Sequence, residues 1–413
     1  MKKRILTSSV FFMAAFLFLT SCKSKEEKKI TAKEKTNHQN QQLFYENYVY
    51  SKIKTNQIAL EKYIENLPLE RKIAQLFIEN LEGNKSFRSY ETFDDMTGNG
   101  DLSPLIAGGY LFFSYNLSDT IEETSSYIDS IRSYTEKNRQ IQPFLAIDQE
   151  GGWVNRLKKL TGKLPSQQEV SESLTVAQAF DLYSKQAEKM AEIGFNMNLA
   201  PVIEVCTDDN RDFLDGRSFG DEEKTAAYGI ACINAYQNNK IAAVIKHFPG
   251  NTNTDPHTGL PEITLPYDEL KKLLKPFREV CDHLPAGVLM SHARTSSYDG
   301  KNPACLSKKW ICDLLRSEYG YEGIIFSDDI FMAALASNGF PPEKAAVLAI
   351  EAGVDCIMTS EKRFAKEASH IYRKALEDKA FEERINQSVK RILQYKTDAG
   401  LFTLKESGSD WSR

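Results

Sequence analysis

The sequence lacks the features that mark several common classes of protein. Its seven cysteines form no C-x-x-C pair and no cluster with zinc-finger spacing, which argues against a structural zinc module. Basic and acidic residues are interleaved and the net charge is −5, so there is no basic stripe of the kind that binds nucleic acid. No G-x-G-x-x-G motif follows a candidate strand, which argues against a dinucleotide-binding fold. We therefore expect no nucleic-acid partner.

Long apolar runs are also scarce, and the most prominent one lies near the N-terminus. A basic segment at 2–4 is followed by an apolar run over Val10–Leu19. That run is too short for a comfortable transmembrane helix and has the length of a signal-peptide core. The sequence LTSC at 19–22 resembles a bacterial lipobox. We expect 1–21 to be removed as a signal peptide and Cys22 to carry the lipid anchor; an uncleaved membrane anchor is the alternative.

The composition divides the rest of the chain into a tether, one large domain and a tail. Residues 22–45 hold a Lys/Glu cluster followed by Asn and Gln, which is typical of a disordered tether. The chain as a whole is 41% hydrophobic and 26% charged, as in ordinary globular proteins. We expect 46–400 to form one domain and 401–413 a tail, with no second large domain and no disulfide framework.

From Leu67 onward, short apolar runs alternate with amphipathic helical stretches. The candidate strands are Ala74–Ile78, Gly109–Phe113, Phe144–Ile147, Phe195–Leu199, Ala243–Ile245, Gly287–Met290, Gly323–Phe326 and Val354–Met358. The candidate helices include Ile121–Asn138, Val176–Ile193, Glu222–Asn238, Ser307–Tyr319, Pro342–Glu351, Lys362–Ala375 and a closing helix at Phe381–Tyr395. This alternation predicts a parallel sheet, and eight strands predict a closed (β/α)8 TIM barrel. An open doubly wound sheet is the alternative.

Ionisable residues follow five successive candidate strands. They are Asp148 with Arg156, Arg217, Lys246 with His247, His292, and Asp328 with Asp329. In a barrel the carboxyl ends of the strands share one face, where catalytic residues gather. Five separately paired buried charges would be costly, so a shared polar pocket is the simpler interpretation.

The fifth candidate strand and the loop after it are the centre of this pattern. The strand ends in Lys246-His247, and Pro249-Gly250 then stops regular structure. The following loop, rich in Asn and Thr, carries Asp255 and His257. A carboxylate nucleophile, a proton-transfer group on a loop and several hydrogen-bonding groups favour glycoside hydrolysis. Trp153, beside Asp148, is placed either to stack on a sugar or to pack against the barrel.

Six motifs occur in order along the chain. They are IDQEGG at 147–152 with Arg156, NLAPV at 198–202, RSFG at 217–220, KHFPG at 246–250, DPH at 255–257 and FSDD at 326–329. With these motifs the chain, from about Leu67 to Thr397, resembles the bacterial β-N-acetylglucosaminidases of glycoside hydrolase family 3. The resemblance implies a TIM-barrel hydrolase that needs neither a metal nor an organic cofactor.

The resemblance also implies a role for each motif residue. Asp328 is expected to be the nucleophile that forms a covalent glycosyl-enzyme. His257, oriented by Asp255, is expected to be the general acid/base, a role that other members take from a following domain. The expected ligands of the terminal GlcNAc are Asp148, Arg156, Arg217, Lys246 and His247. Asp329 is interpreted either as a support for Asp328 or as a carboxylate at a helix N-terminus.

The loop after the fifth strand departs from the family pattern. The family usually reads KHFPGHGD and then DSH, whereas here 251–254 reads NTNT, Pro256 replaces Ser and the loop is shorter. We expect the reach of His257 and the choice of substrate to differ from those of relatives.

The sequence therefore predicts a lipid-anchored retaining exo-β-N-acetylglucosaminidase that removes terminal β-linked GlcNAc from peptidoglycan fragments. A related β-glycosidase with another sugar preference, a phosphorylase and a non-catalytic glycan-binding lipoprotein are the alternatives. The lipid on Cys22 predicts a membrane partner and a place in the bacterial cell envelope. Lys23 stands where an Asp often retains lipoproteins in the inner membrane, which favours the outer membrane, on its periplasmic or surface face.

Overall fold

The computed structural model describes residues 57–404, in which eight parallel strands form a closed barrel. The strands are β1 (Phe77–Asn80), β2 (Gly109–Phe112), β3 (Phe144–Ile147), β4 (Met197–Asn198), β5 (Ala242–Phe248), β6 (Gly287–Met290), β7 (Ile324–Asp329) and β8 (Cys356–Met358). Neighbours in the chain are neighbours in the barrel, and β1 pairs with β8, with Phe77 opposite Ile357. The predicted (β/α)8 barrel is confirmed and the open doubly wound sheet is wrong.

Helices surround the barrel and connect its strands. The α-helices with both ends described are Leu69–Ala74, Phe93–Thr97, Ile121–Lys137, Lys158–Thr161, Gln167–Ser173, Val176–Ile193, Arg211–Leu214, Glu222–Asn238, Tyr267–Cys281, Ala333–Ala336, Pro342–Ala352, Ala365–Glu377 and Lys379–Asp398. Shorter 3-10 turns lie at Ser114–Asn116 and Ala304–Leu306, a π-helix at Lys309–Glu318, and helical residues at 57–66. Within 57–404, no helix is long and apolar enough to cross a membrane.

The signal peptide 1–21, Cys22 and the tether 22–45 lie outside the described residues, as does 405–413 of the tail. The unit that begins at Ala59 holds the whole barrel. The proposed domain boundaries stay predictions.

The helix Val176–Ile193 begins and ends at the residues that the sequence predicts. Thr175 and Gln178 form a capping box before Val176–Ile193, and Gly194 ends that helix with a φ of 112°.

The first predicted strand was placed too early, because Ala74 still belongs to the helix Leu69–Ala74. Apolar residues of that helix and of β1 form one run, and periodicity alone cannot divide a run of this kind.

Aromatic packing fixes the end of β5, where the polar residues begin. Phe248 is buried and packs edge-on against Phe277 and Trp310, with ring centroids 5.1 and 5.5 Å apart. These contacts join β5 to the helices Tyr267–Cys281 and Lys309–Glu318. Lys246 and His247 therefore project from a rigid element.

The closing helix Lys379–Asp398 clamps the opposite end of the barrel. The buried ammonium of Lys396 donates to Gln75 Oε1 and to the carbonyl of Gly108, both at 2.8 Å. Asp355, buried at the start of β8, accepts from Arg384 at 2.9 Å. The helix thus holds the β1–β2 side and the β8 side of the barrel together.

Two buried groups predict how stability depends on pH. Burial lowers the pKa of Lys396 to about 7, and burial raises the pKa of Glu91, in the segment between β1 and β2, also to about 7. Stability due to protonated Glu91 is present below the ordinary carboxyl pKa and is lost as the pH rises to about 7. Stability due to neutral Lys396 is present above the ordinary lysine pKa and is lost as the pH falls to about 7. We therefore expect the free energy of unfolding to pass through a minimum near neutral pH.

Urea unfolding at a series of pH values measures this profile. Lys396→Met should remove the rise above neutral pH, which for one proton amounts to roughly 1.4 kcal/mol per pH unit. Glu91→Gln should flatten the acidic side instead. The exposed Lys163→Met is the control and should keep the wild-type profile. An unchanged alkaline slope in Lys396→Met would contradict the assignment.

Candidate active site

Four charged side chains form one network at the carboxyl ends of β3 and β5. The Lys246 ammonium lies 2.6 Å from Asp148 Oδ1 and 2.7 Å from Glu150 Oε1. Arg217 binds Glu150 with two nitrogens, Nε to Oε2 at 2.8 Å and Nη2 to Oε1 at 2.9 Å. The structure therefore brings together Asp148, Arg217 and Lys246, as the sequence predicted. It adds Glu150 at their centre.

The network keeps Glu150, Lys246 and Arg217 charged. Burial alone would raise the pKa of Glu150, but Arg217 and Lys246 outweigh it and hold that pKa well below the usual range. Burial alone would lower the pKa of Lys246, but Asp148 and Glu150 raise it. Burial alone would also lower the pKa of Arg217, but Glu150 outweighs it and raises that pKa above its ordinary value. The pocket thus has fixed charges for a ligand rich in hydroxyl groups.

The second polar residue of β5, His247, is held by a carboxylate that sequence reasoning missed. His247 Nδ1 lies 2.6 Å from Glu204 Oε1, and both residues are buried. Asn251 Nδ2 donates to the same oxygen at 3.2 Å. The signal in the sequence was a lone acid within the apolar run PVIEV after β4.

Asp328 is a buried carboxylate in β7. The backbone N–H of Asp329 donates to its Oδ1 at 2.8 Å. Burial alone would raise the pKa of Asp328, but His292, His247 and that N–H outweigh it and lower the pKa. An ionised carboxylate in such surroundings is suited to act as a nucleophile.

Asp329 and His292, which neighbour Asp328, form hydrogen bonds with other groups. Asp329 Oδ1 accepts from the backbone N–H groups of Phe331 and Ser360, both at 3.0 Å. His292 places Nε2 2.9 Å from the carbonyl of Asp329 and Nδ1 3.3 Å from Cys305 Sγ. Asp329 therefore shapes the turn after β7, and both ring nitrogens of His292 have protein partners.

The Asp255–His257 pair forms on the loop after β5. Asp255 Oδ1 accepts from the backbone N–H of His257 at 2.9 Å and lies 2.7 Å from Nδ1. The backbone N–H of His257 is the main cause that lowers the pKa of Asp255. The two side chains are 52% and 68% exposed. Among the hydrogen bonds and ion pairs of residues 57–404, none joins this pair to the network around Lys246.

The substituted stretch of this loop is anchored at its base. Asn253 Oδ1 accepts from the backbone N–H groups of Asp212 and Phe213 at 2.9 and 3.2 Å, and its Nδ2 donates to the carbonyl of Asp208 at 3.0 Å. Further along, the carbonyl of Pro256 accepts from Ala334 N at 3.0 Å, just beyond β7. The residues that replace the family pattern therefore fix the loop to the segment between β4 and β5 and to the segment after β7.

Two predicted residues lie outside the charged network. The guanidinium of Arg156 sits 5.8 Å from the ring centroid of Phe113, and its Nε is buried without a hydrogen-bond partner. Trp153 lies at the turn of a short ribbon formed by Gln149–Gly151 and Val154–Asn155, and it is 80% exposed. Packing against the barrel is therefore wrong for Trp153, and sugar stacking stays a prediction.

A cavity of about 450 Å³ lies at the base of the loop, next to the site. Its walls include Glu204, Asn251, Asn253, Glu262 and Phe277. We call it the loop-base cavity. Within residues 57–404, no group of three or more His, Cys, Asp and Glu side chains could hold a metal ion.

Comparison with known proteins gives one family and a consistent set of relatives. Residues 68–395 match the family described as Glycosyl hydrolase family 3 N terminal domain. Beta-hexosaminidase A of Pseudoalteromonas piscicida is 28% identical over 336 residues, which are 72% of this chain and 55% of that protein. Beta-hexosaminidase LpqI of Mycobacterium tuberculosis is 34% identical over 221 residues, 51% of this chain and 56% of that protein. The chain thus spans little more than half the length of these two curated relatives.

Solved structures agree with this result. A glycoside hydrolase family 3 beta-N-acetylglucosaminidase from Paenibacillus sp. superposes with a TM-score of 0.74 at 27% identity, covering 84% of this chain and 65% of that one. The structure of M. tuberculosis LpqI gives a TM-score of 0.68 at 27% identity, covering 82% and 96%.

Proposed function

Because the chain belongs to glycosyl hydrolase family 3, as the six motifs indicated, we propose that it is a retaining exo-β-N-acetylglucosaminidase. One observation carries the proposal. Asp328 is a buried carboxylate at the end of β7, and its pKa is lowered, against the effect of burial, by neighbours that include His247 and Lys246 of β5. The names of similar proteins, which include beta-hexosaminidases and a beta-N-acetylglucosaminidase, support GlcNAc as the sugar.

The geometry suits a double displacement. In the first step Asp328 attacks the anomeric carbon, while protonated His257 gives its proton to the glycosidic oxygen and the aglycone leaves. In the second step neutral His257 takes a proton from water, which attacks the same carbon and releases Asp328. Two inversions at one carbon retain the β configuration. Asp255 holds Nδ1 of His257, so that Nε2 remains for these transfers.

The charged network supplies the sugar site in this proposal. Lys246 occupies one oxygen of Asp148, which leaves the other oxygen to accept from sugar hydroxyl groups. Glu150 fixes Arg217 and Lys246 before the sugar arrives, so their ordering costs little on binding. We propose that Arg156, which follows β3, binds the same sugar.

The loop that carries Asp255 and His257 must close for this chemistry. His257 is exposed and has no hydrogen bond to the pocket, whereas proton transfer requires direct contact with the glycosidic oxygen. The backbone is anchored at Asn253 and Pro256, so the exposed side chains of Asp255 and His257 are the part that must move toward the pocket.

We further propose that the substrate is a peptidoglycan fragment and that the enzyme is anchored by Cys22 in the outer membrane. This rests on the lipobox and on Lys23, outside the described residues. Protease treatment of intact cells distinguishes the surface face from the periplasmic face.

Hydrolysis of a panel of nitrophenyl glycosides, with and without phosphate, tests the activity. We expect β-GlcNAc to be cleaved far faster than β-glucose, β-anomeric GlcNAc as the first product, and free GlcNAc from muropeptides. A preference for glucose would favour a different β-glycosidase, and a sugar phosphate would identify a phosphorylase. Binding of these sugars without any turnover would leave the non-catalytic glycan-binding lipoprotein as the remaining alternative.

A further inference from the structure

Glu204 is a buried acid beside the site that the mechanism above does not use. It follows β4 and is 2% exposed. Its Oε1 lies 2.6 Å from His247 Nδ1 and 3.2 Å from Asn251 Nδ2. Its Oε2 is buried and has no hydrogen-bond partner among residues 57–404. A half-satisfied buried carboxylate is costly, so its retention needs a reason.

The contacts of Glu204 reach two working parts of the site. On one side, His247 is among the groups that lower the pKa of Asp328. On the other side, Asn251 lies at the start of the loop that carries Asp255 and His257. Glu204 also lines the loop-base cavity. One carboxylate therefore joins the sugar pocket to the base of the acid/base loop.

A carboxylate in this place has two physical effects on His247. It accepts the Nδ1 proton, which fixes the ring and leaves Nε2 for the pocket. Its negative charge strengthens that hydrogen bond, which keeps the ring where it helps to lower the pKa of Asp328. The second effect depends on the charge of Glu204 and not on its shape.

We propose that Glu204 is a positioning residue that holds His247 oriented toward the pocket, and that couples this histidine to the loop through Asn251. This inference rests on the proposed hydrolase function. It assigns the acid a role in holding His247 through its charge, whereas a packing role would need only its volume.

Other charged and titratable groups also face this arrangement. Around Asp328 they are His292, Lys246, Asp329 and Cys305, and around Glu204 there is Arg217. Because none of these groups changes when Glu204 is substituted, a shift in the pH profile would report Glu204 and His247.

Glu204→Gln tests the charge, since the amide keeps the size and can still accept from Nδ1. We expect kcat/KM to fall roughly tenfold to a hundredfold, as when carboxylates that orient metal-bound histidines are removed. The acid limb of the kcat/KM profile should move to higher pH, because His247, which helps to lower the pKa of Asp328, is then held less firmly. Glu204→Asp keeps the charge but is shorter, so activity should fall while the acid limb stays in place.

Glu367→Gln is the matched control. Glu367 is a buried acid in the helix Ala365–Glu377, and its neutralisation should leave both kcat/KM and the acid limb unchanged. A folded Glu204→Gln with a wild-type acid limb would overturn the proposal, whether or not its activity fell. That result would leave only a packing role.

Proton NMR of protein with isotope-labelled histidine gives a test without substrate. A short bond between Nδ1–H and a buried carboxylate should give a strongly low-field proton signal. The signal should be absent in His247→Gln and in Glu204→Gln, and present in Glu367→Gln. Its absence from the wild type would overturn the proposal even if Glu204→Gln fails to fold. A signal that behaves as expected in a protein without glycosidase activity would instead refute the proposed function.

Discussion

Asp328→Ala is expected to lower kcat/KM by several orders of magnitude, because this carboxylate forms the bond to the sugar. Its surroundings prepare it for that step: His292 and His247 overcome the effect of burial and lower its pKa. Asp328→Asn keeps the size of the side chain but removes the nucleophile, so it should be as inactive as the alanine variant. Initial rates on nitrophenyl β-GlcNAc measure the loss.

Trapping identifies the nucleophile directly. A fluorinated GlcNAc reagent that stabilises the glycosyl-enzyme should label Asp328, as located by mass spectrometry of the digested protein. Asp329→Asn serves as the control. Its Oδ1 accepts from two backbone N–H groups, so we expect reduced stability but continued labelling of Asp328. A label on Asp329 would show that the nucleophile was misassigned while leaving the enzyme class intact.

His257→Ala is expected to separate the two steps of the reaction. Poor leaving groups need protonation, and for them we expect a loss of roughly 10²–10⁴ in rate. Dinitrophenol needs little protonation, so the first step should survive while hydrolysis of the intermediate becomes slow. A burst of phenol should then appear, and azide should restore turnover because it needs no general base. The exposure of His257 means that this substitution should not disturb folding.

Two neighbouring variants distinguish acid/base loss from weaker binding. Asp255→Asn should give a milder form of the His257→Ala behaviour, because the imidazole loses its orienting partner. His247→Ala should weaken sugar binding with little dependence on the leaving group. If His257→Ala loses equal activity on good and poor leaving groups, with no burst and no azide rescue, then His257 is not the acid/base.

The fold was predictable because each strand of a parallel barrel is buried on both faces. Such strands appear as short apolar runs, and all eight were recognised. The ends of β5 and β7 were predicted too short, since both strands continue into the polar residues of the pocket. The π-helix Lys309–Glu318 was expected only as an ordinary helix, because the apolar pattern does not reveal the hydrogen-bond register.

The site was predictable where a motif carried it and not where a partner had to be found in space. Glu150 and Arg217 form an ion pair although they are 67 positions apart in the chain. Glu204 and His247 are in contact although they are 43 positions apart. No local pattern indicates such pairs. The effect of NTNT at 251–254 on the reach of His257 stays a prediction, although Asn253 shows that the stretch has contacts of its own.

The clamp made by the closing helix has a consequence for biosynthesis. Lys396 and Arg384, which donate to the carbonyl of Gly108 and to the carboxylate of Asp355, are made after all eight strands of the barrel. A nascent chain that ends before these residues lacks both contacts, and β8 is itself a late element. The barrel therefore closes only after the closing helix has been made. A chain that stays open this long is easy to thread through a translocation channel, which agrees with the signal peptide that the sequence predicts.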